Sequence, residues 1–443
     1  GHRWINHEWL TEVLFYAVYA AAGSGGLLLL KGVLGVLIVH GLSGLYFARS
    51  RSVAGYLIYF LLAVPVMAPG FMIRPHLMTF LFLTLLWMVL HRALDGRPQR
   101  LLWAPLIFLL WANCHGGVVA GLGIFFLVTM LAGARAIADG DPAWKWLAGS
   151  FIVSCLAGLV NPYGLNLWTF FVHTLSTPRA IGEWNAVPLA GTAHWEFKLL
   201  AVLFAVTLIL PGRKRAWEVA AILAAFYFGF KHQRHTVLAA LLLCPYLPLQ
   251  WARWQRRWRP EGWFSRAHGD FKTVVLALAI GALTLQGINL HAKFAQTRFQ
   301  ILVEPTVYPT DLARFMEANR IDGNLWVPFD WGEYFIWKRP ASRVSIDGRF
   351  RTAYPEKVIR QVWAAASGQP GLELILDRYA ARYVITRREE PLHEIMEQAA
   401  GWVKIYQDPL SKLFVRETDP LVPAFRDRRL IRSDDPAPYT FPG

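Results

Sequence analysis

Three cysteines are all this sequence carries, at Cys114, Cys155 and Cys244, and none follows residue 244. A disulfide framework is therefore excluded for the C-terminal part, which must be held by its own core. Charge is also scarce. Asp, Glu, Lys and Arg make up 17% of 443 residues, against 55% hydrophobic ones, and mean hydropathy is +0.33. That balance excludes an ordinary soluble domain. Acids are the scarcer sign, 30 against 45 basic residues, for a formal net charge of +15. The bases sit in short clusters between apolar runs, which is the pattern of membrane orientation signals, so nucleic acid is set aside as a partner. The sequence has no internal repeat, no low-complexity tract and no visible signal peptide. It opens at Gly1 on a polar-aromatic stretch and reads as a fragment without its true N-terminus.

What fills the chain instead is apolar helix. Residues 1–290 are apolar runs broken by short polar loops, with 20 Trp and 28 Phe in the chain to supply aromatic belts at two interfaces. Candidate spans run near 26–48, 53–70, 77–91, 101–113, 117–134, 146–160, 196–210, 216–230, 236–250 and 271–289, about ten in all. Two further stretches, 9–22 and 165–175, are too short to cross and read as interfacial or re-entrant helices. Sorting the loops by charge gives one set with Arg49, Arg51, Arg92, Arg97, Arg100, Arg135, Lys145, Arg213, Lys214, Arg215, Arg253, Arg256, Arg257 and Arg259. The opposite set holds only Arg74, Arg179, Lys198, Lys231 and Arg234. The first set is cytoplasmic by the positive-inside rule, and the alternation holds only if 9–22 and 165–175 do not cross.

Residues 291–420 read as a small α/β domain on the non-cytoplasmic side. Helices are expected over 311–319, 356–366, 372–379 and 392–399. Strands are expected at 325–328, 343–347 and 383–386, with a closing hairpin of 403–407 and 413–416. The tail, 421–443, is expected to be loose. The predicted fold is thus an α-helical polytopic membrane protein with a small C-terminal α/β domain.

Six polar motifs fall on one predicted face. Arg74 and His76 flank Pro75 at a helix start: a phosphate-binding cation pair, or a helix start with snorkelling Arg. Asn113 and His115 precede Gly116-Gly117, which permits close backbone approach by a ligand, or simply breaks two helices. Asn161-Pro-Tyr-Gly164 is turn chemistry first, with Asn161 facing a cavity second. Glu183-Trp184 reads as a general base beside a stacking ring, or as an interfacial anchor. Lys231, His232, Arg234 and His235 are the densest basic set on that face and favour an anion. Metal is not assigned, since no Cys or carboxylate stands beside the His232/His235 pair. His7 and Glu8 fall on the same side. Asp139-Gly-Asp141 resembles a metal motif but lies in a predicted cytoplasmic loop. Asp330-Trp-Gly-Glu-Tyr334 and Asp347-Gly-Arg349 are strand-end turns first and acceptor contacts second.

Together, Trp4-Ile-Asn-His-Glu-Trp-Leu10, Arg74-Pro-His76, Trp111-Ala-Asn-Cys-His-Gly-Gly117, Asn161-Pro-Tyr-Gly164 and Gly182-Glu-Trp184 resemble bacterial membrane proteins of the GT-C glycosyltransferase superfamily. These are distant relatives of the dolichyl-phosphate-mannose protein mannosyltransferases. Asp330-Trp-Gly-Glu-Tyr334 and Ile346-Asp-Gly-Arg349 resemble the soluble end of that group. The resemblance implies a polyprenyl-phosphate-linked sugar donor in the bilayer, an acceptor met outside the cytoplasm, and a bacterial inner-membrane location. It also implies a carboxylate in the first non-cytoplasmic loop as base or metal ligand. Only the end of that loop, His7-Glu8-Trp9, is present, so the acidic motif is expected before Gly1, and a divalent metal only if that segment supplies a ligand.

Within this chain the expected catalytic carboxylate is Glu183, with Glu8 behind it. Arg74, His76, His115, Arg234 and His235 are the expected phosphate ligands. His7, Asn113, Asn161, Trp184 and Lys231 are expected to line the cavity. The alternatives are a transporter or flippase for a lipid-linked anion and a non-catalytic assembly subunit.

Overall fold

The computed structural model describes residues 4–50, 53–176, 182–257, 264–369, 371–431 and 440–441. Arg51, Arg179, Ile181 and Arg259 lie outside the described residues. The chain divides into two units: His7–Phe299, and Gly1–Asn6 with Gln300–Gly443.

The first unit is helical. Its elements are α1 (Trp9–Phe47), α2 (Val53–Met67), α3 (His76–Leu94), α4 (Trp103–Cys114), α5 (Val118–Ala138), α6 (Ala143–Ala157) and α7 (Leu165–Ser176), followed by α8 (Trp195–Ile209), α9 (Ala216–Lys231), α10 (Thr236–Leu243), α11 (Leu247–Arg257) and α12 (Phe264–Thr297). Among the described residues, α1, α3 and α5 are long and apolar enough to cross a membrane. Of the other expected spans, α4 has 12 residues, α2, α6 and α8 have 15, and α9 has 16, while 271–289 lies within the 34-residue α12. The expected span 236–250 is broken into α10 and α11. Pro245 lacks an N–H and its ring clashes with the carbonyl four residues back, so one continuous helix is not available there.

Stretches 9–22 and 26–48 belong to one kinked helix, α1. The kink falls at Ala22 and Gly23, and Gly23 takes φ +59°, a conformation that costs little only without a side chain. α7, at 12 residues or about 18 Å, is shorter than a hydrocarbon core.

α3 is central. It packs against α1, α4, α5 and α10, and buries Leu83, Leu86, Trp87 and Leu90. Around it Phe108, Trp111, Phe125, Ile222 and Leu241 are also buried. The outward faces stay apolar, with Leu29, Val33 and Val36 of α1 and Val202, Val206 and Ile209 of α8 exposed. A bilayer would cover such faces; water would not favour them.

The second unit runs β1 (Ile301–Leu302), α13 (Thr310–Ala318), β2 (Asn324–Trp326), α14 (Gly332–Lys338), β3 (Arg343–Val344), α15 (Glu356–Ala366), α16 (Leu372–Arg378), β4 (Tyr383–Arg387), α17 (Leu392–Gln398), β5 (Trp402–Gln407), β6 (Ser411–Arg416), α18 (Leu421–Arg426) and β7 (Thr440–Phe441). Its main sheet has the order β3-β2-β4-β6-β5. β2 is parallel to β3 and β4, while β6 is antiparallel to both β4 and β5. The core is Leu312, Met316, Trp331, Phe335, Ile385, Leu413 and Val415. The helices and strands expected from the periodicity are present. Asp330–Tyr334 is more than a turn, because α14 starts at Gly332. The tail expected to be loose contributes α18 and a strand paired with β1.

Candidate functional site

The polar motifs of the helical unit gather where α1 and α3 begin, α4 ends and α5 begins. Trp111 Nε1–H donates to Thr79 Oγ1 at 3.0 Å, and Thr79 Oγ1 lies 2.7 Å from His115 Nδ1. The Gly117 N–H donates to the same Nδ1 at 3.0 Å. A backbone N–H can only donate, so Nδ1 is an acceptor and the imidazole proton sits on Nε2. Thr79, already receiving the indole proton, turns its own hydroxyl proton toward Nδ1. His115 Nε2 lies 3.3 Å from Glu8 Oε1, and His7 Nε2 lies 3.4 Å from the same oxygen. The result is a relay from Trp111 through Thr79 and His115 to the Glu8 carboxylate.

The double glycine makes the relay sterically feasible. A Cβ on Gly117 would fall 2.2 Å from Thr79 Oγ1 and 2.9 Å from His115 Nδ1. On Gly116 it would meet Phe171 at 3.1 Å and His7 at 3.2 Å. His7 is walled by Phe170 and Phe171 of α7, with ring centroids at 5.2 and 5.9 Å.

The loop before α8 and the junction of α9 with α10 form the other wall. Val187 N–H bonds to Phe230 O at 2.8 Å and Gln233 N–H to Asn185 O at 3.0 Å. His232 Nδ1–H reaches Trp184 O at 2.8 Å. These bonds set the Trp184 ring under Arg234, whose Cζ is 4.9 Å from the ring centroid. Among the described residues no carboxylate lies within ion-pair distance of Arg234, so stacking rather than neutralisation holds it.

Other expected site residues have partners of their own. Arg74 pairs with Glu183 at 2.6 Å, and both are exposed, at 52% and 44%. His76 Nε2 bonds to Gly70 O at 2.5 Å. Asn113 is fully engaged: its Oδ1 accepts from Trp9 Nε1 at 3.0 Å, and its Nδ2 donates to Leu109 O and Val160 O. Asn161 makes the turn its motif suggests, accepting from Tyr163 N–H at 2.9 Å. Lys231 is exposed at the end of α9. Asp139 pairs with Arg135, and Asp141 caps Ala143 N–H. Among the described residues no group of three His, Cys, Asp or Glu is placed to hold a metal.

Burial alone would raise Glu8, but the His7 hydrogen bond, with His115 and Arg234 nearby, outweighs it and holds the carboxyl down to about 2. Burial pushes His115 down to about 3 against the pull of Glu8. Burial, then Arg234 and His232, push His235 down to about 4. Near neutral pH the site therefore holds an anionic Glu8, neutral imidazoles at His115 and His235, and one guanidinium. Both histidines are depressed from 6.5, so below pH 6.5 the unfolded chain binds protons that the folded chain refuses. Stability from these groups is complete above that pH and is lost as the pH falls through 6.5 toward 3. Thermal unfolding of the purified protein should therefore be flat above pH 7 and move to lower temperature on acidification to about pH 4. His115→Asn should flatten that slope, and an unchanged slope would argue against a buried neutral His115.

A second polar cluster, not expected from the motifs, closes the opposite ends of α3 and α9. Arg49 bridges Glu218 at 3.2 Å and Asp95 at 3.0 Å, and Arg215 reaches Asp95 at 2.6 Å. His91, 3.7 Å from Glu218, lies between Trp87 and Trp217. Glu218 inside an otherwise apolar run was its signal in the sequence. No family model and no curated protein matches the chain.

Proposed function

We propose that this chain is a membrane glycosyltransferase that takes a sugar from a polyprenyl-phosphate donor, with Glu8 as general base and Arg234 as the phosphate ligand. The observation that carries this reading is the partly buried Glu8 carboxylate, set beside His115 of the relay and sharing its electrostatic environment with Arg234. An acceptor hydroxyl would attack the anomeric carbon and give its proton to Glu8. The bond from that carbon to the phosphate oxygen would break, and its electron pair would leave on the polyprenyl phosphate beside Arg234. Anionic Glu8 is in the protonation state a base needs. In this reading the shorter apolar helices also lie in the bilayer, giving a GT-C-like bundle of about ten spans, with local thinning or flanking turns making up their length. The site faces the non-cytoplasmic side of a bacterial inner membrane.

A flippase for a lipid-linked anion would need a path past the far ends of α3 and α9. The Arg49–Asp95–Arg215–Glu218 cluster occupies that end, which favours the enzyme. The test uses the full chain in liposomes with a panel of polyprenyl-phosphate hexoses labelled in the sugar. Release of label to water or to an acceptor is expected. Movement of intact donor between leaflets without release would overturn the reading for the flippase. Label that neither leaves nor moves would overturn it for an assembly subunit.

A further inference from the structure

The second unit holds two acid–arginine pairs at the carboxyl ends of its parallel strands, and they differ. After β3, Asp347 is fully buried and receives Arg349 Nη2 at 2.6 Å, Arg349 Nε at 2.8 Å, the Arg349 N–H at 2.9 Å, and the Tyr354 hydroxyl. Every acceptor position is filled, and the pair is structural. The glycines confirm how tightly these loops close. A Cβ on Gly332 would fall 2.0 Å from Ile346 O, and one on Gly348 would fall 2.6 Å from the Glu333 carboxylate.

The other pair is open. Asp330, after β2, leaves 67% of its side chain exposed and, among the described residues, is held by Arg387 Nη1 at 3.3 Å. Arg387 ends β4, stacks over Trp331 at 4.7 Å, and keeps Nε without a hydrogen-bond partner. This pair stands where the chain direction divides. From β2 the chain goes to β3 on one side, and from β3 it returns across β2 to β4 on the other. The carboxyl ends at such a switch point frame the crevice in which open α/β sheets hold ligands.

Beside Asp330, aromatic rings continue the surface. Phe329 lies 5.7 Å from Trp363, tilted 30°, and 5.7 Å edge-on from Phe350. Trp363, on α15, is 42% exposed. An exposed aromatic ring next to one exposed acceptor and the partly exposed end of the Arg387 guanidinium matches a ligand with an apolar face and a rim of hydroxyls. A phosphate fits worse, because Asp330 and Glu333 flank the start of α14 and Glu390 stands near Arg387.

We propose that the switch point between β2 and β4 is a subsite for a neutral saccharide, with Trp363 and Phe329 stacking on the sugar ring and Asp330 and Arg387 bonding its hydroxyls. As the acceptor subsite, it rests on the glycosyltransferase reading. Its test does not need turnover. The full chain in detergent would be titrated with maltohexaose, chitohexaose and inorganic phosphate, following saturation-transfer NMR and tryptophan fluorescence. Saccharide binding is expected, weakened at least tenfold by Trp363→Ala and by Asp330→Asn, with the unfolding temperature unchanged because both side chains are exposed. Binding of neither saccharide, saccharide binding indifferent to both substitutions, or phosphate binding lost on Arg387→Ala would overturn the proposal. Release of labelled sugar from the donor would still judge the transfer reading on its own.

Discussion

Glu8→Gln is expected to lower sugar transfer by about a hundred- to ten-thousandfold, the usual worth of a general base. The substitution keeps the shape of the site. A glutamine oxygen can take the position of Glu8 Oε1, 3.3 Å from His115 Nε2. What it removes is the capacity to take a proton from the acceptor. Glu183→Gln is the control. Glu183 is 44% exposed and pairs with Arg74 at the surface, where such pairs contribute about 0–1 kcal/mol. A small change in transfer is expected there. The measurement is label release from the polyprenyl-phosphate sugar by each variant at equal folded concentration. Loss of transfer in Glu183→Gln with activity kept in Glu8→Gln would remove Glu8 from the mechanism.

The order of these two carboxylates is what the sequence could not decide. Glu183 stands beside Trp184 in a loop between apolar segments, and Glu8 lies near the first residue. Neither position reveals that Arg74, more than a hundred residues away, neutralises Glu183. The motifs themselves were legible. His115 with Gly116 and Gly117 suggested close backbone approach by a ligand, and what the structure places where a Cβ on Gly117 would stand is Thr79 and His115 of the chain itself. Thr79 was invisible because one threonine in an apolar helix carries no motif; its role comes from Trp111 on one side and His115 on the other. Asn113 shows the opposite error of inference. A polar side chain near the end of an apolar helix suggested a cavity, but its amide ties α4 to Trp9 and to the chain beyond α6. The fold divides in the same way. Periodicity located the strands and helices of the α/β unit, because alternation follows directly from which face is buried. Helix length in the other unit depends on Pro245 and Gly23, single residues that hydropathy averaging hides.

Arg234→Ala is expected to reduce transfer by about a hundred- to a thousandfold, the effect of losing one preorganised donor to a developing anion. The argument rests on how the guanidinium is held. Arg74, the other arginine placed here, has Glu183 as its carboxylate partner. Arg234 is instead fixed by the face of Trp184, which constrains its plane without occupying its N–H groups. Burial lowers its pKa while Glu183 and Glu8 draw it back, and the guanidinium stays charged at neutral pH. A stacked, charged fork with free donors is suited to a phosphate that gains charge as its sugar leaves. Arg234→Lys should therefore restore little, since an ammonium keeps the charge but loses both the bidentate fork and the stacked plane. The two variants should unfold within a few degrees of the parent, because losing the stack costs only about 0.5–2 kcal/mol. Donor binding, followed by competition with polyprenyl phosphate, should weaken in step with transfer. If Arg234→Ala binds polyprenyl phosphate as the parent does and still transfers sugar, the phosphate is held elsewhere and Arg234 serves only to orient Trp184.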